Sequence, residues 1–144
     1  MSEVPLTPEF ALIRRHFTRP ASKALLGVGD DCALSRTDQA LAITTDMLVS
    51  GTHFLPDTDP RALGHKALAV NLSDLAAMGA EPLWFTLALA LPAVDDAWLS
   101  AFAEGMYALA DQHGIELIGG DTTRGPLTIS ITAAGTVDPA HALR

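Results

Sequence analysis

The stretch KALAVNLSDLAAMGA, residues 66–80, predicts a helix that lies largely inside the protein. Apolar residues occupy nearly every position, so this helix has no polar face to turn towards water. The pair Asp59-Pro60 predicts its start and Gly79 predicts its end. Asp74 stands in the C-terminal half of the helix, where the helix dipole does not favour an anion. A carboxylate placed there needs a positively charged partner.

Local signals elsewhere in the chain predict further helices and strands. Proline or aspartate at helix starts, glycine at helix ends, and alternating or continuous apolar runs mark their bounds. Because helices and strands alternate loosely, we predict an α/β or α+β domain whose mixed β-sheet has helices packed on one face. The predicted helices cover about residues 8–17, 59–78 and 95–113, and the predicted strands cover residues 41–46, 83–91, 115–118 and 126–137.

The composition indicates a globular domain that does not bind nucleic acid. The 144 residues suffice for one domain with a sizeable core. A hydrophobic content of 49% and a mean hydropathy of +0.26 exclude a highly charged, disordered chain. The net charge of −8 argues against nonspecific nucleic-acid binding, which relies on basic surfaces. An anionic phosphate ligand would need metal ions between it and the acidic residues.

Neither export nor membrane insertion is indicated by the sequence. The longest apolar run, residues 82–94, is shorter than the span of about 20 residues that a membrane helix needs. The N-terminus lacks the basic and then apolar pattern of a signal peptide. Cys32 is the single cysteine, so it cannot form an internal disulfide, and we expect it to be a small buried residue. We therefore expect a cytoplasmic protein.

Several acidic residues lie where apolar segments end or inside one of them. Two follow a glycine-rich turn (Asp30, Asp31), one ends a strand (Asp46), one lies in the apolar helix (Asp74) and one follows two glycines (Asp121). Thr44 shares a strand face with Asp46 and adds a hydroxyl oxygen. Such oxygen ligands suit a hard cation like Mg²⁺, which also bridges to phosphates. The alternative at each position is a structural aspartate in a turn or cap.

Two further segments admit both a functional and a structural interpretation. The stretch GGDTTRG, residues 119–125, offers backbone N–H groups, an acid and Arg124, which suit phosphate and metal, but it is also compatible with a tight turn. His53 stands in a glycine-containing turn and is either structural or functional. The common Gly-rich nucleotide loops are absent from the sequence. A nucleotide would therefore bind through metals that carboxylates hold.

Four motifs together identify a family resemblance. They are GVGDDCAL, AITTDMLVSGTHF, KALAVNLSDLAAMGAEP and LIGGDTTRG, and they span about residues 27–125. In this order and spacing they resemble the N-terminal domain of the thiamine-monophosphate kinase family, within the superfamily that includes aminoimidazole ribonucleotide synthetase and selenophosphate synthetase. The resemblance implies that residues 1–144 form an ATP- and Mg-binding dimerisation domain. It further implies that two such sheets pair into a barrel across a homodimer.

The resemblance implies ATP-dependent phosphorylation of thiamine monophosphate to thiamine diphosphate. Several Mg²⁺ ions would assist a direct phosphoryl transfer, with ATP as co-substrate and without a catalytic side chain that forms a covalent intermediate. It implies metal ligands, ATP contacts and one substrate contact. By position, the metal ligands are one or both of Asp30 and Asp31 together with Thr44, Thr45, Asp46, Asp74 and Asp121. The ATP contacts are Gly120, Asp121, Tyr107 and Arg144, and the substrate contact is His53. For Tyr107, packing in the core is the alternative.

The same resemblance implies a second, C-terminal domain that is absent from this chain. We therefore expect the 144 residues alone to bind nucleotide and to form little thiamine diphosphate. One alternative is another ATP-dependent activity of the superfamily, of the selenophosphate or ribonucleotide synthetase type. A further alternative is a non-catalytic module that binds nucleotide or metal and dimerises.

Overall fold

Four strands and three α-helices make up the part of the chain that the computed structural model describes, residues 8–29 and 32–143. In chain order the elements are α1 (Pro8–Phe17), β1 (Ala40–Val49), α2 (Pro60–Ala77), β2 (Glu81–Leu91), α3 (Asp96–His113), β3 (Glu116–Arg124), β4 (Thr128–Val137) and the 3₁₀ helix Pro139–His141. Helices and strands alternate along the sequence as far as β3, β4 follows β3 directly, and the short 3₁₀ helix follows β4.

The four strands form one mixed sheet in the order β1-β4-β2-β3. β4 runs antiparallel to both β1 and β2, whereas β2 and β3 are parallel neighbours. Helix α3 connects these two parallel strands, because parallel neighbours cannot be joined by a tight turn. β1 and β3 are therefore the two edges of the sheet.

The helices lie on one face of this sheet, which confirms the predicted fold class. α2 packs against β1 and β4, α3 packs against α2, and α1 packs against α3. On β2 the side chains of Phe85, Leu87 and Leu89 are buried towards the helices, whereas Ala88 between them is exposed. In the single chain, the strand that is apolar on both faces thus buries only one of them.

Capping interactions reproduce most of the predicted helix bounds. The side chain of Asp59 accepts a hydrogen bond from the N–H of Ala62 at the start of α2, and that of Asp95 accepts from Trp98 at the start of α3. α3 ends at Gly114, which has the left-handed φ of 66°. None of these helices, within the residues described, is long and apolar enough to cross a membrane.

Two expectations from the sequence are wrong. The strand predicted over residues 115–118 continues as β3 to Arg124, because its ladder with β2 extends through the glycines and threonines. A register shift opposite Phe85 and Thr86 accommodates one extra residue of β3. Cys32 is exposed rather than buried, since it lies in the loop that connects the bridged residues Leu26 and Leu34 and belongs to no packed element.

Two glycines allow α2 and α3 to touch backbone to backbone. A Cβ atom on Gly64 would lie 2.1 Å from the carbonyl oxygen of Phe102, and one on Gly105 would lie 1.9 Å from that of Arg61. Neither neighbour is a flexible side chain that could move aside. The helices therefore approach more closely than any side chain at these positions would permit, and this contact fixes α2 over the sheet.

We expect Gly105→Ala to destabilise the protein by about 1–3 kcal/mol, because the added methyl group forces the helices apart. The better helix propensity of alanine offsets at most about 1 kcal/mol of this cost. Chemical unfolding with circular dichroism measures the difference. Gly125→Ala is the matched control, since its Cβ would make an ordinary 3.8 Å contact with Ala90. Equal stability of both variants would contradict the close-contact argument.

Residues 16–23 run along α3 as a strap and end at the start of β3. His16 contacts Asp96 at 2.7 Å, and Arg19 contacts Asp111 at 2.9 Å. Glu116 on β3 then accepts bonds from the backbone N–H and the hydroxyl of Ser22 and from the N–H of Lys23. These contacts hold the strap, and with it α1, against the rest of the domain.

The Glu116 contacts predict a pH-dependent stability. Partial burial by itself raises the pKa of Glu116, but the hydrogen bonds from Ser22 and Lys23 and the charge of Lys23 together lower the pKa below its ordinary value of 4.5. A folded-state pKa below the unfolded value means that the carboxylate stabilises the fold above pH 4.5 and loses this effect as the pH falls through the lowered pKa.

We expect Glu116→Gln to be less stable than the wild type at neutral pH, because the amide has no charge and a single acceptor oxygen. The two proteins should converge as the pH falls below the pKa of Glu116. Urea unfolding at a series of pH values measures the gap. A gap that stays constant down to the acid limit would show that the charge of Glu116 does not contribute.

Candidate functional site

A pair of carboxylates meets where β1 packs against α2. Thr44 and Asp46 project from β1 towards the helices, as strand alternation predicts. Asp74 reaches the same place from the C-terminal half of α2, and its Oδ2 accepts a hydrogen bond from the Thr44 hydroxyl at 3.0 Å. Asp46 Oδ2 is buried and has no hydrogen-bond partner within the described residues. The structure therefore brings together three of the predicted metal ligands.

The electrostatics of the pair favour a bound cation. Burial raises the pKa of Asp46, and Asp74 raises it further by sharing a proton and through its negative charge. Without a cation, the charged form of Asp46 is therefore disfavoured beside Asp74. A divalent ion would offset the repulsion between the two carboxylates and would coordinate the unpartnered oxygen of Asp46.

One turn before Asp74, Asn71 is fully buried in α2. Its Nδ2 donates to the carbonyl of Ala67 at 3.1 Å, while its Oδ1 is buried without a partner among the described atoms. The sequence places Asn71 and Asp74 on one helical face, but the structure separates their environments. Asn71 lies at the centre of the buried stripe, and Asp74 lies at its exposed rim.

The donor set of Thr44, Asp46 and Asp74 fits a hard cation such as Mg²⁺, because every donor is an oxygen and one of them is buried without a partner. The set is incomplete by itself. In residues 8–29 and 32–143, no three His, Cys, Asp or Glu side chains come together closely enough to hold a metal ion. The two remaining predicted acids of the GVGDDCAL turn, Asp30 and Asp31, lie outside the described residues.

A second part of the site is a cleft of about 290 Å³ at the opposite edge of the sheet. Helix α1, the glycine turn and β3 form its walls. Gly29 of the turn faces Gly120 and Asp121 of β3, which places the GVG and GGD motifs side by side. Ile13, Phe17 and Val28 supply the apolar wall.

Gly120 is required by the backbone of the sheet. It has a φ of 151°, and a Cβ atom there would lie 1.9 Å from the carbonyl oxygen of Leu87 on the adjacent strand. Only glycine permits β3 to follow β2 this closely. The glycine at this position therefore has a structural reason.

The acid pair and the glycine cleft are well separated within one chain. Asp46 pairs with Ile131, Ile131 with Leu87, and Leu87 with Gly120, so Asp46 and Gly120 are the ends of one row across the sheet. Three strand spacings amount to about 14 Å. Asp121 pairs with the exposed Ala88 and lies on the face away from the helices, whereas Asp46 faces them.

His53 lies in the turn that follows β1, and its side chain is exposed. Its Nδ1 accepts a hydrogen bond from the backbone N–H of Val49 at 2.9 Å. Its carbonyl oxygen accepts from the ammonium group of Lys66 on α2 at 2.8 Å. The sequence gives no signal for Lys66 beyond its place in the helix motif, because the contact depends on how α2 packs.

Tyr107 is buried in α3, as the packing alternative predicts. The guanidinium of Arg19 lies over its ring, 3.8 Å from the ring centre, and its hydroxyl has no partner in the described chain. Burial raises the pKa of Tyr107 to about 12. The positive charge of Arg19 lowers this pKa, and the negative charge of Asp111 raises it. A contact of Tyr107 with adenine stays a prediction.

Two other predicted residues do not join the acid pair. Thr45 projects to the open face of the sheet, where its hydroxyl bonds that of Thr132 at 2.8 Å. Arg144 lies outside the described residues. Their roles as a metal ligand and an ATP contact stay predictions.

Curated proteins resemble this chain closely over part of their length. It is 55% identical over 141 residues to the thiamine-monophosphate kinase of Salmonella typhimurium, and the match covers 94% of this chain and 43% of that protein. The thiamine-monophosphate kinase of Escherichia coli K12 is 56% identical over 140 residues, with the same coverage. The chain thus spans less than half the length of these relatives.

Solved structures show the same fold. The crystal structure of thiamine-monophosphate kinase from Stenotrophomonas maltophilia superposes with a TM-score of 0.81 at 53% identity, covering 94% of this chain and 43% of that one. A structure of AaThiL complexed with AMPPCP and TMP gives a TM-score of 0.66 at 32% identity, covering 71% of this chain and 34% of that one.

The family comparison agrees with the fold and with the motifs. A single family model, that of the AIR synthase related protein N-terminal domain, matches residues 29–137. This range contains all four strands, α2 and α3, the acid pair and the β3 wall of the cleft. The chain therefore belongs to the family of AIR synthase related protein N-terminal domains.

Proposed function

We propose that this chain is the metal- and nucleotide-binding part of an enzyme that transfers the γ-phosphoryl group of ATP to thiamine monophosphate, forming thiamine diphosphate. The carboxylate pair of Asp46 and Asp74, with its buried unpartnered oxygen, carries the proposal, because such a pair calls for a cation of the kind that accompanies ATP. The 55% identity to a thiamine-monophosphate kinase supports the choice of acceptor.

Thr44, Asp46 and Asp74 are the residues that would hold Mg²⁺. When bound, Mg²⁺ supplies charge neutralisation for phosphate oxygens during phosphoryl transfer. Asp74 comes from a helix and Asp46 from a strand, so both carboxylates are held on rigid elements. The Thr44 hydroxyl orients Asp74 by donating to its Oδ2. This arrangement fixes one carboxylate and leaves an oxygen of the other available for coordination.

The glycine cleft is the proposed nucleotide site. Gly120 and Asp121 line it, and the apolar side chains of Ile13, Phe17 and Val28 offer a surface on which a base can be buried. Gly29 carries no side chain, so a ligand in the cleft can approach its backbone. The structure of AaThiL complexed with AMPPCP and TMP supports the proposal that this chain takes part in binding a nucleotide.

The reaction we propose is a direct transfer. An oxygen of the acceptor's phosphate attacks the γ-phosphorus of ATP, the bond from that phosphorus to the β,γ-bridging oxygen breaks, and ADP leaves. The chain's own residues bind and orient the reactants, since holding them in line supplies much of the rate enhancement. His53 can take part by donating a hydrogen bond to the acceptor's phosphate from its exposed ring.

We also propose a homodimer in which the open faces of two sheets meet. Ile43 and Met47 on the edge strand β1 are 62% and 57% exposed, which is unusual for apolar side chains of a strand. The separation of about 14 Å between the acid pair and the glycine cleft supports the same arrangement. A second copy would bring one protomer's acid pair near the other's cleft, so that a single nucleotide contacts both.

We expect binding of the ATP analogue AMPPCP to require Mg²⁺ and to weaken at least about tenfold in Asp74→Asn or Asp46→Asn, because each variant removes a charged ligand. The fold should survive, since each substitution relieves repulsion between the acids. Isothermal titration calorimetry with and without Mg²⁺ makes the measurement, followed by titration of thiamine monophosphate into the complex. Circular dichroism checks the fold of each variant.

Asp57→Asn is the matched control, because Asp57 is an exposed aspartate in the loop before α2. It should bind the nucleotide as the wild type does. Mg²⁺-independent binding, or unchanged affinity in both site variants, would overturn the metal assignment. Nucleotide binding without binding of thiamine monophosphate would point to another ATP-dependent activity.

The dimer has its own test. We expect the chain to run as a dimer in multi-angle light scattering, and the double variant Ile43→Asp, Met47→Asp to run as a monomer, because charges placed on a self-complementary face repel their own copies. Leu55→Asp is the control, since Leu55 is equally exposed at 68% but lies in a loop. A monomeric wild type at micromolar concentration would refute the dimer.

A further inference from the structure

We propose that Lys66 is a positioning residue that fixes the turn carrying His53 and thereby the direction and the tautomer of its imidazole. The part of this inference that concerns the substrate rests on the proposed function, in which His53 contacts the acceptor's phosphate. The part that concerns the histidine itself rests only on the contacts of Lys66, His53 and Val49.

The turn between β1 and α2 is closed by reciprocal hydrogen bonds. The N–H of His53 donates to the carbonyl of Val49 at 2.9 Å, and the N–H of Val49 donates back to His53 Nδ1 at 2.9 Å. The N–H of Gly51, whose φ of 83° suits glycine, donates to the carbonyl of Phe54 at 2.7 Å. Phe54 is buried and anchors one end of the turn. The carbonyl of His53 accepts a hydrogen bond from Lys66.

The bond from Val49 determines the tautomer of His53. A backbone N–H can donate only to a ring nitrogen that carries no proton, so Nδ1 is unprotonated. The proton of the neutral imidazole therefore lies on Nε2. Because the side chain is exposed, Nε2–H is free of protein burial and can donate to a ligand, and a phosphate oxygen is an acceptor that matches it.

Helix α2 links this donor to the acid pair. Lys66 and Asp74 lie eight residues apart on the same helix, which corresponds to about 12 Å along its axis. At one end Asp74 is bonded to Thr44 on β1, and at the other end Lys66 is bonded to the turn that follows β1. One rigid helix thus sets the distance between the proposed cation site and the proposed contact to the acceptor.

The side chain of Lys66 is exposed and makes this contact at the surface, so a merely structural role would change stability little. A positioning role predicts a specific change in the imidazole. Without the ammonium group, the carbonyl of His53 accepts a hydrogen bond from water instead, and the reciprocal bonds with Val49 loosen. Nδ1 of His53 then no longer has to accept a hydrogen bond from the N–H of Val49. The ring then samples both tautomers and several directions.

Long-range ¹H–¹⁵N NMR of the chain at about pH 8, where histidine is neutral, reports the tautomer directly. The His53 signals are assigned with His53→Gln. We expect the Nε2–H tautomer in the wild type and in Lys66→Arg, and a mixture in Lys66→Met. Calorimetry should show affinity for thiamine monophosphate reduced about tenfold in Lys66→Met and restored in Lys66→Arg, with AMPPCP affinity within about twofold of the wild type in the presence of Mg²⁺.

Arg61→Met is the matched control, since Arg61 is an exposed cation on the same helix whose partner is Glu104 on α3. It should leave the tautomer and both affinities unchanged. An unchanged tautomer in Lys66→Met overturns the proposal, even where the affinity falls, because Lys66 would then contact the ligand itself. A changed tautomer with unchanged affinity for thiamine monophosphate overturns the positioning role. If the wild type binds no thiamine monophosphate, the proposed function fails, and the tautomer alone decides whether Lys66 fixes His53.

Discussion

The electrostatic conflict between Asp46 and Asp74 is the constraint on which the rest of the site depends. A carboxylate oxygen buried without a partner is costly, and a second carboxylate beside it increases the cost. The two carboxylates stay close together because the packing of α2 holds Asp74 in place. Helix α2 is pressed between the sheet and α3, with Gly64 and Gly105 allowing backbone contact, so Asp74 cannot withdraw from β1 without loss of this core. The helix–helix contact therefore maintains the repulsion that a cation would relieve.

The same packing explains why the polar groups around α2 differ so much in exposure. Asn71 is at the centre of the buried stripe and donates from Nδ2 to the preceding turn, whereas Asp74 and Lys66 lie at exposed positions and contact β1 and its turn. The buried side chains of α2 thus fix where the helix lies, whereas its exposed polar side chains make the contacts of the proposed site. An aspartate at the rim keeps access to solvent and to ligands, which a fully buried aspartate would lack.

The features that local chemistry determines could be predicted from the sequence. Asp59, Asp95 and Gly114 cap their helices because side-chain acceptors and a left-handed φ are local properties. Strand alternation likewise predicts that Thr44 and Asp46 share a face. Features that depend on how strands and helices pack against each other could not be predicted from the sequence. The extension of β3 to Arg124 depends on the ladder that β2 offers, and the hydrogen bond from Lys66 to His53 depends on where α2 settles.

Strand order was the most consequential feature that the sequence did not reveal. The motifs around Asp46 and Asp121 read as parts of one acidic cluster, but the order β1-β4-β2-β3 places them at opposite edges and on opposite faces. Between Asp46 and Gly120 the row consists of Ile131 and Leu87, which are core residues beneath the helices, so no ligand can run along that row.

If both motifs serve one nucleotide, the connection must lie outside the single chain. The proposed symmetric partner would supply it if the two sheets close with β1 of one copy beside β3 of the other, and the apolar side chains on the open face support such pairing. The proposed dimer would then be part of the proposed active site and not merely a means of covering apolar surface.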